Sequence, residues 1–511
     1  MRLLLILLML SVGSLANCQG FNRRYDAFGL GTAQGGWNIE HRGQGYAAIS
    51  GSSDVDSIGP DLWLTHGSVL ITFLDDQGNF VSEHRSYRPY HSAFAGWSNC
   101  CDTIPGGGYV VGGASEDTTG FDEVYLMRFD ANGDTLWTKV FGDPNGNQFW
   151  IGQQVKRTAD GGFVIVGFTE QGNWDGFAIK TDSDGNEQWR STYYWSSAFS
   201  DGLASVALGA QGDLFMSGSR ILADGTGDNW LQRTDSAGTL RWRVSWGGAY
   251  SEGSCNVSVG SDGNVFAFSG RGYTPSYTAM RAYLAKIDSA DGAIIWEKDY
   301  SPSKPFTQFA TGRETSSGDI IAAGITYEQP GPSIGKGLMA LTSSTGDSLW
   351  LYKYFYQDSI LVDGTGRFHD VLPTADGGFI AAGATYFSAS GNNPAGISQD
   401  TWVVKVDGNG CIIPGCNNVG ITEQATNLLD ALSIYPNPAH GSATVQLSLP
   451  QSVAGALELT LVAMDGRVVQ RERLAGNGAH VLDLSQLGAG VYYAHIAQGG
   501  KWLTGGKLVV E

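Results

Sequence analysis

DGGFVIVGFT (160–169), followed by DGFAIKTDSDGNEQW (175–189), is the fullest copy of a pattern that recurs along this chain. Its first half returns as GGGYVVGGAS from Gly106, QGDLFMSGSR from Gln211, DGNVFAFSGR from Asp262, GDIIAAGIT from Gly318 and DGGFIAAGAT from Asp376, with a weaker copy, GQGYAAISGS, from Gly43. These make seven units. The second half is stricter: a glycine is followed four residues later by tryptophan at Gly133/Trp137, Gly185/Trp189, Gly238/Trp242, Gly292/Trp296 and Gly346/Trp350. Aspartate stands shortly before the glycine at Asp75, Asp130, Asp182, Asp235, Asp288 and Asp407, and the sixth unit departs with Thr342. In the third unit, strand-like runs fall at 149–156, 162–168, 176–180 and 187–194. Glycine-rich pairs between them supply the positive φ that hairpin turns require. A four-stranded sheet repeated every 50 to 60 residues is the signature of propeller blades. One such sheet cannot bury both faces alone, so neighbours must stack, and a large ring at a fixed place in each unit suits that packing.

The expected fold is therefore all-β: a seven-bladed β-propeller of four-stranded blades over 21–416, followed by a small C-terminal β-sandwich. The seventh unit lacks a tryptophan strand, whereas Phe21-Asn-Arg-Arg-Tyr25 is a strand without a unit. Pairing the two would close the ring and remove its open edges. The blade motifs at 285–296 and 340–350 resemble the tryptophan-docking motif of quinoprotein-like propellers. That resemblance covers blade construction and carries no activity with it.

Composition fits this reading. The chain has 511 residues, 73 glycines, 15 Trp, 21 Tyr and 22 Phe, and a net charge of −19. Residues 427–511 hold 5 basic and 6 acidic side chains, so the charge resides in the repeats. Such a surface repels phosphate backbones, and nucleic acid is not an expected partner. Residues 1–20 read as a secretory signal: Arg2 flanks LLLILLML (3–10), and Ser14-Leu15-Ala16 offers a cleavage point. Leu15-Ala16-Asn17-Cys18 also resembles a lipoprotein box, with Asn17 where a smaller residue is usual. No later run is long and apolar enough to span a bilayer as a helix, and a monomer is expected.

Residues 417–431 read as a linker, and 432–511 as a compact β domain with alternating runs at 443–449, 457–463, 468–473, 481–484, 491–496 and 507–510. Tyr435-Pro436-Asn437-Pro438, Asp465-Gly466, Gly490-Val-Tyr492 and the closing Gly506-Lys507-Leu508-Val509-Val510 resemble the type A sorting domain of the Bacteroidetes type IX secretion system. The resemblance implies the type IX machinery as a partner and a secreted or surface-attached destination. It assigns these residues to turns rather than to chemistry.

Export permits disulfides. Cys411 and Cys416 could close a small loop, while Cys100, Cys101 and Cys255 leave an odd thiol. The adjacent Cys100–Cys101 pair resembles the vicinal disulfide of some quinoprotein dehydrogenases, with a structural bridge from one of them to Cys255 as the alternative. Asp182-Ser-Asp184-Gly185-Asn186 has the look of a calcium loop but reads better as a hairpin turn. No metal, cofactor or catalytic constellation is expected. Insertions at 52–66, 328–336 and 386–400, with links at 84–99 and 193–201, collect on one face. They carry aromatics, of which Trp63, Trp97, Tyr194, Trp195, Tyr327 and Tyr386 are the candidate ligand face. The function read from this is a non-enzymatic binding or adhesion module for a glycan or protein ligand. The alternatives are a propeller enzyme of glycoside hydrolase, sialidase-like or quinoprotein-like type, and a mainly structural surface component.

Overall fold

The computed structural model describes residues 20–25, 33–59, 62–86, 92–116, 122–142, 149–170, 173–195, 199–275, 279–300, 306–328, 334–356, 364–387, 398–413, 432–449, 457–463, 467–498 and 501–511. Residues 1–19 of the expected signal segment and the whole expected linker, 417–431, lie outside them. The chain divides into two compact units, Met1–Ile412 and Ile413–Glu511.

The first unit is all β. In the third repeat, Phe149–Arg157, Phe163–Glu170, Trp174–Thr181 and Glu187–Tyr193 pair in antiparallel succession. The fourth repeat is the same with Asp201–Leu208, Leu214–Ile221, Gly227–Thr234 and Leu240–Trp246. The first strands of successive repeats touch in a closed cycle. It runs from Ala33–His41 through Cys101–Thr103, Phe149–Arg157, Asp201–Leu208, Asn256–Val259, Phe306–Glu314 and Gly364–Pro373 back to Ala33–His41. This is a propeller-type ring.

Burial explains the sequence pattern. Adjacent residues of one strand enter different apolar layers: Phe163 and Ile165 pack with Val110, Leu126 and Val155 of the second and third repeats, whereas Val164 and Val166 pack with Leu203, Met216 and Trp230 of the fourth. Each sheet is covered on both faces, so FVIV reads as a continuous apolar run rather than an alternating one. The last repeat meets the first in the same way, through Ile380, Ala382 and Val403 against Ile39, Tyr46 and Ala48. One expected loop is a strand: 52–66 continues the hairpin of Tyr46–Gly59 and Leu62–Leu74, with Asp54 opposite His66 and Ser57 opposite Trp63. Val55, Ile58, Trp63 and Thr65 supply β-favouring residue types along it.

The N-terminal strand Phe21–Tyr25 pairs antiparallel with Ser398–Val406, with Phe21 opposite Lys405 and Tyr25 opposite Thr401. It thus supplies the outer strand that the seventh repeat lacks. Its rings also reproduce a contact found between the other repeats. A Cβ on Gly185 would lie 2.7 Å from the Trp137 ring of the preceding repeat, one on Gly238 3.0 Å from Trp189, and one on Gly346 2.7 Å from Trp296. Trp242 meets Gly292 at 3.0 Å and Trp350 meets Gly410 at 3.1 Å by the same measure. Phe21 meets Gly78 at 2.6 Å, and His84 stands in for tryptophan against Gly133 at 2.9 Å. Four residues beyond the ring, a tyrosine hydroxyl donates to the same glycine's carbonyl: Tyr193 to Gly238 at 2.8 Å, Tyr300 to Gly346, Tyr354 to Gly410 and Tyr25 to Gly78, each at 2.7 Å. The indoles are half-buried at the rim of each interface rather than wedged wholly inside it.

The turn aspartates fix those glycines in place. Asp182 accepts the backbone N–H groups of Asp184 and Asn186 at 3.0 and 2.8 Å, and the Asn186 side chain and backbone hold its carboxyl below the usual range. The carboxylate of the calcium-like string is therefore spent within its own turn. In the sixth repeat the equivalent position is Ser343, not Thr342: Ser343 Oγ accepts from Asp347 N at 3.1 Å, and Gly346 N donates to Ser343 O at 2.9 Å.

The channel enclosed by the first strands is bridged. In the second repeat that strand is split into Ser92–Ala95 and Cys101–Thr103, both paired with Tyr109–Glu116. Gly112 joins the two pieces by accepting from Gly96 N and donating to Cys100 O, which pushes 97–99 out as a wide bulge. Asn99 has φ 48°, the left-handed conformation that Asn tolerates better than most residues. Its amide donates to Thr311 in the sixth repeat at 2.9 Å, and Ser98 Oγ donates to Asn256 in the fifth at 3.4 Å. On the side where the first strands end, Asn38 donates to Glu40 at 3.0 Å and to Asp370 at 2.9 Å, and Arg313 donates to Asp370 at 2.6 Å. Burial raises the Glu40 carboxyl to about 7, with Lys156 and Arg313 lowering it and Asp370 and Asp102 raising it further.

The second unit has two sheets. Leu432–Tyr435, Ser442–Leu447 and Gly478–Asp483 form one; Val468–Leu474, Leu457–Ala463, Gly490–Gln498 and Lys501–Val510 form the other. Val445, Leu459, Leu482, Ile496 and Leu508 fill the layer between them, giving the small sandwich.

Two consequences can be measured. Phe21→Ala should cost about 3 kcal/mol of stability and Tyr25→Phe about 1 kcal/mol; a denaturation midpoint unchanged in Phe21→Ala would show that the closing strand contributes nothing. Glu40 binds its proton more tightly folded than unfolded, so its contribution is full below about pH 4.5 and is lost as pH rises through about 7. Glu40→Gln should abolish that loss. Between about pH 5 and 8 the wild type should fall relative to Glu40→Gln by on the order of 2 kcal/mol in urea denaturation, and parallel pH profiles would assign the titration elsewhere.

Candidate functional site

The first strand of a repeat carries one residue outside the pairing register: Trp37 between Gly36 and Asn38, Gln153 between Gly152 and Gln154, and His369 between Phe368 and Asp370. These bulged residues and the wide bulge at 97–99 gather at the mouth of the channel where the first strands begin. Trp97 stacks on Trp37 with centroids 6.3 Å apart and planes 14° from parallel, and Trp37 sets its edge against His369 at 4.4 Å. The Arg367 guanidinium lies 5.9 Å from the Trp37 ring centroid. Burial, with Arg367 nearby, holds the His369 imidazole well below the usual range, so it is neutral at physiological pH.

Trp97 is 63% exposed despite this anchoring, and Phe94 beside it is 44% exposed. Between them opens a cavity of about 350 Å³, lined also by Ala95, Ala114, Gly152 and Gln153. Close backbone approach shapes its floor. A Cβ on Gly96 would fall 1.8 Å from the Gln153 carbonyl oxygen, and one on Gly152 would fall 2.6 Å from that of Gly113.

Of the other candidate aromatics, Tyr194 and Trp195 stand in the link after the third repeat and Tyr327 in the sixth repeat. Tyr194 is 50% exposed, with its carbonyl accepting from Arg243. Trp195 is held by two guanidinium groups, Arg220 at 4.4 Å and Arg243 at 5.1 Å from its ring centroid, and is half-buried. Tyr327 meets Phe306 edge-on at 5.2 Å. The side chains of Trp63 and Tyr386 lie outside the described residues. Trp37, His369, Gln153 and Phe94 were not singled out from sequence. Trp37, Gln153 and His369 each stand at a register skip one position before the buried Asn38, Gln154 and Asp370, which the sequence does not display, and Phe94 pairs in unbroken register with Ala114.

The cysteines differ from expectation. Cys100, Cys101 and Cys255 are free, buried thiols. Cys100 and Cys101 pack in the layer between the first and second repeats and Cys255 in that between the fourth and fifth, so no bridge joins them. Burial pushes the Cys255 thiol up to about 12, which makes it inert. Cys411 is disulfide-bonded, and Cys416 lies outside the described residues. Among the described residues no group of three or more His, Cys, Asp or Glu is placed to hold a metal, and no helix is long and apolar enough to cross a membrane.

In the C-terminal unit, Asn437 donates to Lys507 O at 2.7 Å and accepts from Val509 N at 2.8 Å, while Ala439 bridges Val510. The Tyr492 hydroxyl donates to Gly488 O at 2.8 Å, and Gly490 opens the strand that carries Tyr492. Asp465 and Gly466 lie outside the described residues.

No curated protein matches the chain. Among solved structures it is similar to quinohemoprotein alcohol dehydrogenase from Comamonas testosteroni, 12% identical over 78% of this chain and 78% of that one, with a TM-score of 0.38. It is also similar to α-L-arabinanase from Penicillium chrysogenum complexed with arabinobiose, 10% identical over 74% and 93%, with a TM-score of 0.37. Likenesses this distant carry no argument about activity or ligand. Residues 433–511 match the secretion system C-terminal sorting domain family. The C-terminal unit is therefore a secretion sorting domain, and the chain is a type IX secretion cargo with an all-β, propeller-type body, delivered to the cell surface or beyond it.

Proposed function

We propose that the exported body, residues 21–416, is a seven-bladed propeller that acts as a non-enzymatic binding module, with 417–431 as the tether to the sorting domain. Its ligand binds at the channel mouth where the first strands begin. One observation carries this reading: Trp97 is 63% exposed yet rigidly mounted. Leaving an indole in water forgoes the largest apolar burial a side chain offers. Here the ring is also stacked on Trp37 and carried on a bulge that Ser98 and Asn99 pin across the channel. A ring held in place before its partner arrives loses little conformational freedom on binding, which is how preorganised sites gain affinity. Supporting a non-enzymatic role, Asp370 is engaged by Arg313 and Asn38, and Asn38 also donates to Glu40. These carboxylates serve the structure.

The exported full chain, displayed against glycan and surface-protein arrays, should capture at least one ligand class. Trp97→Ala should weaken that capture at least tenfold, about 1.4 kcal/mol. Phe80→Ala should leave it unchanged, since Phe80 is 58% exposed just after a turn on the opposite face. The reverse pattern would move the ligand site to the other face and overturn the proposal.

A further inference from the structure

We infer that the slot between Phe94 and Trp97 is a sugar subsite that takes a neutral pyranose ring. The inference rests on the reading of the channel mouth as a ligand site and narrows it to one chemistry. Two exposed aromatic faces form the walls, 44% and 63% accessible, and the space between them is about 350 Å³. That is the lower end of the range for small-molecule sites and suits one or two sugar rings rather than a protein surface. An aromatic face carries partial negative charge, and the C–H bonds on one side of a pyranose present the complementary partial positive charge over a flat apolar patch.

The floor supplies the polar complement. Gln153 brings a primary amide, with an acceptor oxygen and donor nitrogen side by side, the pattern that a pair of neighbouring sugar hydroxyls answers. Its position is fixed because Gly96 packs against its carbonyl and Gln154, next in the strand, is tied to Ser205 at 3.0 Å. No lining residue is ionisable: Phe94, Ala95, Trp97, Ala114, Gly152 and Gln153 are joined only by Ile151. A slot without a cation, in a chain of net charge −19, disfavours uronic and sialic acids, and a slot without a carboxylate gives a cationic ligand nothing to pair with. Arg367, the cation at this mouth, sits against Trp37 instead. Ala114 lines the slot with no more than a methyl group, so a longer side chain there would take up its space.

The test uses the full exported chain, titrated with neutral oligosaccharides (gluco-, manno-, xylo- and galacto-oligomers), with oligogalacturonate and with a tyrosine-rich peptide. Binding is followed by tryptophan fluorescence and calorimetry. At least one neutral oligomer should bind and change the fluorescence. Trp97→Ala and Phe94→Ala should each weaken binding at least tenfold, Gln153→Ala several-fold, and Ala114→Leu should abolish it while leaving both aromatic walls in place. Circular dichroism and denaturation midpoints check that each variant is folded. Selective binding of oligogalacturonate or peptide with the same variant sensitivities would overturn the sugar class but leave the mouth as a ligand site. So would silence of every neutral oligomer alongside a Trp97-dependent array ligand. Binding of any ligand unaffected by all four substitutions would overturn both.

Discussion

The contact on which the ring depends is a ring laid on a glycine. Each repeat places one flat side chain from its outer strand against the turn glycine of the next repeat, and the fit allows no Cβ. At Gly185, Gly292 and Gly346 a methyl group would meet the indole at 3.0 Å or less, and the same glycines have φ between 77° and 82°. Two independent requirements thus fall on one residue: the turn needs left-handed backbone, and the neighbouring sheet needs the empty space that glycine leaves. The aspartate or serine that stands before the glycine holds the turn in that shape, and at Gly78, Gly238, Gly346 and Gly410 a tyrosine hydroxyl also ties the carbonyl down. Apolar layers between sheets have no direction of their own, since hydrophobic burial is non-directional. The ring-on-glycine contact and its hydroxyl bond supply register, fixing how far one sheet is rotated and shifted against the next.

The same logic explains how the ring is shut. A strand that merely paired with the seventh repeat would satisfy the sheet edge but leave its interface with the first repeat unregistered. Phe21 and Tyr25, four residues apart, repeat the spacing of Trp189 and Tyr193, Trp296 and Tyr300, and Trp350 and Tyr354. They make the same pair of contacts, onto Gly78. The N-terminal strand therefore closes the ring chemically as well as topologically. In the first repeat His84 replaces the indole against Gly133 and gains Asp134 at 3.4 Å, a polar variant of the same contact.

How much of this could be read beforehand follows from what each feature depends on. The glycine-to-tryptophan spacing, the apolar runs and the orphan strand at Phe21 are local, and local patterns repeated many times identify themselves. The site did not repeat and was mostly illegible. Trp37, Gln153 and His369 are brought together by register skips in three strands hundreds of residues apart. The wide bulge at 97–99 is set by Asn99 and Ser98 reaching the fifth and sixth repeats, partners that nothing near them in sequence announces. Trp97 was legible as an aromatic in a long link, but so was Trp195, and only the positions of Arg220 and Arg243 separate the exposed ring from the half-buried one. The segment 52–66 read as an insertion between two strands because of its length, yet it continues both strands of the hairpin in antiparallel pairing.

The C-terminal unit shows the opposite relation between motif and structure. Its recognisable strings lie at both ends of the domain, Tyr435 to Pro438 and Gly506 to Val510, and the fold makes them one place. The Asn437 side chain spans the last strand by bonding Lys507 O and Val509 N, as a backbone amide would, and Ala439 continues the pairing to Val510. Asparagine suits this role because its amide offers one acceptor and two donors at the reach of a peptide group. Neither end forms this surface alone, since the last strand without Asn437 leaves an N–H and a carbonyl unpaired, and Asn437 without that strand has no partner. The two terminal strings, at opposite ends of one small sandwich, are therefore halves of one folded junction, and each supplies the hydrogen-bond partners that the other lacks.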